Sequence, residues 1–248
     1  MNVKPIFLFS MLLLFSAFNL PDKDKLTIWL IGDSTISIKS PKNYPETGWG
    51  MPFVNFFDST VVVDNRAKNG RSTKTFRAEG LWKPVTENLK TGDYVFIQFG
   101  HNDEVSTKAS YTTEAEFEAN LKLYIKESRD KKAFPVLLTP VARRSFDENG
   151  KVAETHLVYS AIVRKVAKEE KIPLIDLDKD SQAVLQQFGP VGSKYLFNHL
   201  APGEHPNYPD GKEDNTHFNE FGARKMAELV LEGIRVQHME LENRIIKK

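Results

Sequence analysis

Apolar residues fall along this chain with two different periods. Leu26-Thr27-Ile28-Trp29-Leu30-Ile31 is a nearly continuous apolar run ending at Gly32-Asp33-Ser34, the pattern of a strand buried on both faces and followed by a loop. Val61-Val62-Val63, Tyr94-Val95-Phe96-Ile97-Gln98-Phe99, Pro135-Val136-Leu137-Leu138 and Ile172-Pro173-Leu174-Ile175 share that character and predict four further strands. Between them the period lengthens. Over residues 113–132, Phe117, Leu121, Ile125 and Ser128 recur at helical spacing, and Thr113 with Glu116 forms a capping-box pair. Residues 156–170 and 221–236 read as helices too, the second with Met226, Leu229, Val230 and Ile234 on one face. Strand and helix in alternation imply right-handed crossovers and a parallel sheet covered on both sides. The expected fold is α/β, a doubly wound three-layer α/β/α sandwich in one domain over residues 25–240. Two segments, 143–152 and 189–217, fit no regular element; the second is rich in Pro, Gly, Asn and His. Loops that long inside a compact domain are usually functional or disordered.

The start of the chain stands apart from this pattern. Lys4 precedes an apolar run from Ile6 to Leu14, as in the n-region and h-region of a secretory signal peptide, here expected over residues 1–20. A membrane anchor is the competing reading, but a span needs about 20 apolar residues, and this run meets Asn19, Pro21 and Asp22. The expected location is periplasmic or extracellular. No cysteine occurs in the chain, which excludes disulfides, thiol nucleophiles, cysteine zinc sites and a lipid-anchoring cysteine. The balance of 34 basic and 33 acidic residues argues against nucleic acid as a partner, since such proteins carry a basic domain or stripe. Nothing in the sequence argues for an assembly, and a monomer is assumed.

Ligands of open parallel sheets bind beyond the carboxyl ends of the strands, where strand order reverses. Strand one is followed by Gly32-Asp33-Ser34, strand two by Asn69-Gly70-Arg71-Ser72, strand three by Gly100-His101-Asn102-Asp103 and strand four by Ala142-Arg143-Arg144. With order 2-1-3-4-5 the first three loops are neighbours at one rim. A serine hydroxyl needs a base to become a nucleophile, and acyl transfer needs donors for the developing oxyanion. Ser34 supplies the hydroxyl; its own N–H, the Gly70 N–H and the Asn102 side-chain amide supply donors. Near the other end of the chain stands Asp214-Asn215-Thr216-His217. In a helical turn, residues three apart share a face, so Asp214 would hold one imidazole nitrogen and leave the other for Ser34.

Each element also has an ordinary structural reading. Gly-Asp-Ser after a strand makes a turn or a helix cap, Asn102 an Asx-turn and Gly70 a tight turn. His217 could instead cap the following helix or bind a metal with His199 and His205, although that spacing matches no familiar zinc pattern. Ser72 is a rival nucleophile, but Lys74 stands where a nucleophile elbow needs its second glycine, so Ser72 reads as a helix cap. No phosphate-binding glycine motif follows strand one, and no metal or organic cofactor is expected.

Together these blocks resemble the SGNH, or GDSL-type, hydrolase family, the likeness extending over roughly residues 25–236. Within it, "GDSTIS", "ETGWGMPF", "NGRSTKTFRAEGLW", "GDYVFIQFGHND", "TPVARRSF" and "DNTHFNEFGA" are most similar to rhamnogalacturonan acetylesterases. The resemblance implies a flavodoxin-like sandwich and removal of O-acetyl groups from the pectic rhamnogalacturonan backbone. It also implies Ser34 as nucleophile, His217 as base, Asp214 as its orienter, and Ser34, Gly70 and Asn102 as the oxyanion hole. Galacturonate carboxylates would suit Arg77, Arg143 and Arg144, with Arg71 and Lys74 nearby, and Trp49 or Trp82 could offer a flat face to a sugar. Esterases for other acetylated glycans such as xylan or for lipid-like esters, and a carbohydrate-binding protein without turnover, remain the alternatives.

Overall fold

Five parallel strands form the centre of the computed structural model, which describes residues 25–246; the leader expected over residues 1–20 lies outside them. The strands are β1 (Leu26–Gly32), β2 (Val61–Asn65), β3 (Tyr94–Gln98), β4 (Phe134–Leu138) and β5 (Leu174–Ile175). Their order is β2-β1-β3-β4-β5, the expected order that puts the loops after the first three strands at one rim. Among the described residues seven helices cover the sheet: α1 (Gly50–Phe53), α2 (Thr73–Ala78), α3 (Lys83–Asn88), α4 (Glu114–Asp130), α5 (Leu157–Glu170), α6 (Leu177–Gly192) and α7 (Glu220–Val236). Thr113 caps α4, with Glu116 reaching back in the expected reciprocal box.

The two-residue period of the strands divides the core into two layers. Ile28 and Leu30 of β1 face one side with Phe96 and Val136, against Trp49 at the start of α1 and Phe53 within it, Leu177 and Leu185 of α6, and Met226, Val230 and Ile234 of α7. Trp29 and Ile31 face the other with Val95 and Ile97, against Phe76 of α2, Phe117 and Leu121 of α4 and Val163 of α5. Burying a large apolar side chain of this kind contributes about 1.5–3 kcal/mol, so both faces of β1 and β3 are anchored. The loops leaving the carboxyl ends of these strands therefore start from fixed points. β1 pairs with both β2 and β3, which makes its carboxyl end the place where strand order reverses.

The segment 189–217 departs from the expectation of an irregular loop. It begins with the end of α6, kinked at Gly189 before Pro190. A single 3-10 turn (Ser193–Leu196) leads into an antiparallel pair, β6 (Phe197–Leu200) and β7 (Lys212–Phe218). Phe197 and Phe218 are both buried in the core below α7, their rings 5.1 Å apart. The hairpin is thus bolted to the sandwich at the end nearest the sheet, while its outer loop reaches into solvent. Among the described residues no helix is long and apolar enough to cross a membrane.

Candidate active site

β1 runs straight into the Asp33-Ser34-Thr35 turn. Asp33 is fully buried, and its Oδ1 accepts from the Thr35 N–H at 2.9 Å and the Thr35 hydroxyl at 2.8 Å. Burial pushes the Asp33 carboxyl upward from its ordinary pKa, against the pull of these donors. Thr35 is held from the other side by the Gln98 amide at 2.7 Å, and Gln98 in turn accepts the Trp49 indole N–H at 2.9 Å. The turn is rigid for these reasons, and it leaves the Ser34 hydroxyl at the rim, 9% of the residue exposed. Lys39 closes the turn from beneath, its ammonium 2.5 Å from the Ser34 carbonyl oxygen.

Ser34 Oγ lies 2.9 Å from His217 Nε2, and His217 Nδ1 lies 2.9 Å from Asp214 Oδ2. The sequence puts Asp214 and His217 three apart in a helical turn; the structure puts both on β7 instead. In a regular strand they would point to opposite faces. They meet because the ladder is broken by a large bulge: Phe197 pairs with Phe218 and His199 with Glu213, so four residues, Asp214 to His217, stand opposite Asn198 alone. Within the bulge Asp214 Oδ1 accepts the Thr216 and His217 N–H groups at 2.8 and 2.9 Å, folding the strand into an Asx-type turn that carries the imidazole back over its own carboxylate. Burial alone would raise the Asp214 carboxyl, but the His217 ring and these backbone donors outweigh it and hold the group well below the usual carboxylate range.

The loops after β2 and β3 complete the rim. Gly70 has φ +75°, in the left-handed region, and a Cβ there would meet no protein atom within 4 Å. Its requirement is thus conformational, an L side chain costing about 1–2 kcal/mol in that backbone. The Asn102 amide donates one N–H to the Arg71 carbonyl at 3.1 Å. That contact fixes which end of the amide is nitrogen and leaves its second N–H free to serve another acceptor. Asp103 locks the same two loops together, its Oδ1 accepting from Thr73 N, Thr73 Oγ1 and Thr112 Oγ1. Burial pushes its carboxyl up to about 7 despite these donors.

Arg143 spans the site without entering it. One guanidinium nitrogen donates to Thr216 Oγ1 at 2.8 Å, and another reaches the His101 carbonyl and Glu104, each at 3.3 Å. Glu104 also contacts the buried His156 ring at 2.9 Å, and His156 packs on His101, whose pKa is pushed well below its ordinary value by burial. Arg144 donates to Asn215 Oδ1 at 2.9 Å, to Ser193 Oγ at 3.0 Å and to the Pro190 carbonyl. Both arginines brace the β7 bulge through Thr216 and Asn215, a role inside the protein that the expected contact with a substrate carboxylate did not include.

The two tryptophans are where the structure corrects the expectation. Trp49 has no exposed surface and supports the Ser34 turn through Gln98, so it offers no face to a sugar; Trp82 is buried as well. Arg77 makes a two-pronged pair with Glu127 of α4, both contacts at 2.9 Å. Arg71 pairs with Glu79, and Lys74 with the Tyr111 carbonyl. Ser72 caps α2, its hydroxyl accepting from the Thr75 N–H. His199 hydrogen-bonds Asn215 and His205 lies against the Tyr44 ring; neither is drawn to His217. Lys39, Gln98 and Thr216 escape the sequence reading, because nothing local in "TISIK", "FIQF" or "NTHF" distinguishes them from surface or strand residues.

A hydroxyl, an imidazole and a carboxylate in series, beside free amide donors, form an arrangement able to carry out acyl transfer. The model of the GDSL-like lipase/acylhydrolase family matches residues 30–225. The rhamnogalacturonan acetylesterase RhgT of Bacillus subtilis is 42% identical over 228 residues, 91% of this chain and 97% of that protein. The probable rhamnogalacturonan acetylesterase YesY of the same organism is 35% identical, covering 89% and 98%. Among solved structures, the Bacillus subtilis protein YXIM superposes with a TM-score of 0.75 at 30% identity, covering 87% of this chain and 58% of that one. Axe2, an acetylxylan esterase from Geobacillus stearothermophilus, gives 0.63 at 20% identity, covering 85% and 94%, a likeness of fold. The chain belongs to the GDSL-like lipase/acylhydrolase family and is a carboxylic ester hydrolase.

Proposed function

We propose that this enzyme removes O-acetyl groups from an acetylated plant cell-wall polysaccharide, pectic rhamnogalacturonan, through an acetyl-Ser34 intermediate. Ser34 Oγ attacks the acetyl carbonyl carbon while its proton passes to His217 Nε2. The oxyanion so formed is held by the Ser34 and Gly70 N–H groups and the free N–H of Asn102. Collapse breaks the bond to the sugar oxygen, which leaves with the proton from His217. Water, deprotonated by the same imidazole, then attacks the acetyl-serine, and acetate departs as Ser34 recovers its proton. Asp214 keeps Nδ1 protonated and offsets the charge of the imidazolium. The mechanism is carried by one observation, the unbroken Ser34, His217, Asp214 chain with both links at 2.9 Å. The substrate class is supported by the full-length likeness to RhgT. The apolar run from Ile6 to Leu14 supports export as the route to a polymer outside the cell.

Acetate release from acetylated rhamnogalacturonan, acetylated xylan and a small neutral acetyl ester tests this reading. We expect the highest kcat/KM on rhamnogalacturonan; faster deacetylation of xylan would overturn the substrate assignment while leaving the mechanism intact. Asn102→Ala, assayed on the small ester, should lower kcat by roughly a hundredfold, the loss of about 3 kcal/mol of oxyanion stabilisation. An unchanged kcat would remove Asn102 from the oxyanion hole.

A further inference from the structure

We propose that Lys39 is a positioning residue for catalysis, a buried ammonium that sets the spacing between the Ser34 turn and the Gly70 turn; the inference rests on the reading of Ser34 as nucleophile and Gly70 as oxyanion donor. The Lys39 side chain is 2% exposed, and each of its three N–H bonds has an acceptor: the Ser34 carbonyl at 2.5 Å, Asn69 Oδ1 at 3.0 Å and Glu46 Oε1 at 2.8 Å. Two of the three lie on the loops that carry the reacting groups.

The need for such a tie follows from where the sheet stops. Leading out of β1 and β2, the backbone is joined by Arg66 N–H to the Leu30 carbonyl and then by Lys68 N–H to the Gly32 carbonyl. Among the described residues, that is the last backbone hydrogen bond between the two segments. Ser34 and Gly70 each lie two residues further on. Beyond the end of the ladder the two turns are joined by side chains: Lys39 reaches both, and Ser37 Oγ donates to Asn69 Oδ1 at 2.5 Å while lying 3.4 Å from the Ser34 carbonyl oxygen. Both partners of Asn69 Oδ1 are donors, so the amide cannot flip without losing them, and the residue before Gly70 is held in one orientation. A core that needed only packing would be served by methionine, since an ammonium is costly to bury and is tolerated only when fully paired. Glu46 supplies the compensating charge from the opposite side. The outcome is a pair of turns whose separation is set by the Lys39 nitrogen, with the Ser37 hydroxyl beside it.

The test uses the full chain and p-nitrophenyl acetate, so that polymer recognition does not enter. Lys39→Met is made together with Glu46→Gln, which avoids leaving a buried carboxylate unpaired. We expect kcat to fall about tenfold to a hundredfold, with KM within about threefold of the parent, as for a displacement of reacting groups on the order of 1 Å. The rate of active-site phosphonylation by an organophosphonate should fall in parallel. Asn69 is exposed, so Asn69→Ala should fold normally and lower kcat with the same KM. Adding it to the Lys39 and Glu46 changes should cost little more than the larger of the two effects. Parent-like kcat in the Lys39 variant, or fully additive losses, would overturn the proposal. If the Lys39 variant does not fold, Asn69→Ala decides alone: kcat within twofold of the parent counts against it. Ser34→Ala in the same assay separates the two readings: retained turnover there overturns Ser34 as nucleophile, whereas a dead Ser34→Ala beside fully active Lys39 and Asn69 variants overturns this inference only.

Discussion

Ser34→Ala is expected to lower kcat for acetate release by about 10⁴- to 10⁶-fold, the range in which loss of a serine nucleophile leaves only the catalysis supplied by binding and the oxyanion hole. The substitution removes one atom from a residue at the rim, and among the described residues the hydroxyl's hydrogen-bond partner is His217. The carbonyl of residue 34 keeps its contact with Lys39, and Asp33 and Thr35 keep theirs. Stability should therefore stay within about 0.5 kcal/mol of the parent, as for a change outside the core, and polymer binding should persist. Isothermal titration with acetylated polymer and a urea melt check both points. More than about one part in a hundred of the parent kcat would mean that another nucleophile acts. Ser72, the rival suggested by the sequence, is a poor candidate, because its hydroxyl is committed to the Thr75 N–H at the start of α2. The same variant distinguishes an esterase from a silent binding protein: the silent protein would bind polymer equally well with or without the hydroxyl and would release no acetate in either form.

Three of the four loops at the site were legible because each follows an apolar run that reads as a strand of the parallel sheet. Once β2, β1 and β3 are neighbours, Gly70, Ser34 and Asn102 must share a rim, whatever their separation in sequence. The fourth was legible in its residue types and not in its geometry. A spacing of three between Asp214 and His217 suits a helical turn, and the bulged strand that in fact brings them together depends on pairing with Phe197–Leu200, which no local signal announces. The internal partners of the basic residues were hidden for a related reason. A sequence can place a guanidinium near a rim, but the acceptor that claims it is distant: Glu127 is 50 residues from Arg77, and Thr216 is 73 from Arg143. Trp49 could be read as a face for a sugar, but it is packed inside, and its neighbour Gly48 sits so close to the Ser34 turn that a Cβ there would lie 2.2 Å from the Ser37 carbonyl oxygen. Charge and aromaticity identify groups able to bind a sugar acid; only the partners decide whether the groups are free to do so.

Asp214→Asn should lower kcat by about 10³- to 10⁴-fold, the cost of an imidazole held in the wrong tautomer. Asparagine is the informative replacement because the carboxylate does two separate jobs. Its Oδ1 accepts the Thr216 and His217 N–H groups and so shapes the bulge, whereas Oδ2 faces His217 Nδ1. An amide oxygen can take over the first job; the amide nitrogen then points at Nδ1 and, being a donor, favours the tautomer that puts the proton on Nε2. In that state the imidazole cannot accept from Ser34. Asp214→Ala would lose the bulge as well and confuse the two effects. The substitution also changes how stability responds to acid. The folded pKa of Asp214 lies below its unfolded value of about 3.9, so its ionised form stabilises the fold at pH values above 3.9, and that contribution is lost as pH falls toward the folded value. Urea denaturation between pH 3 and pH 7 should show the parent losing stability toward acid more steeply than Asp214→Asn, which starts lower at neutral pH and has no such proton to take up. Parallel curves would mean that the carboxyl is not held by His217 in solution, and a kcat within tenfold of the parent would mean that the tautomer is set elsewhere.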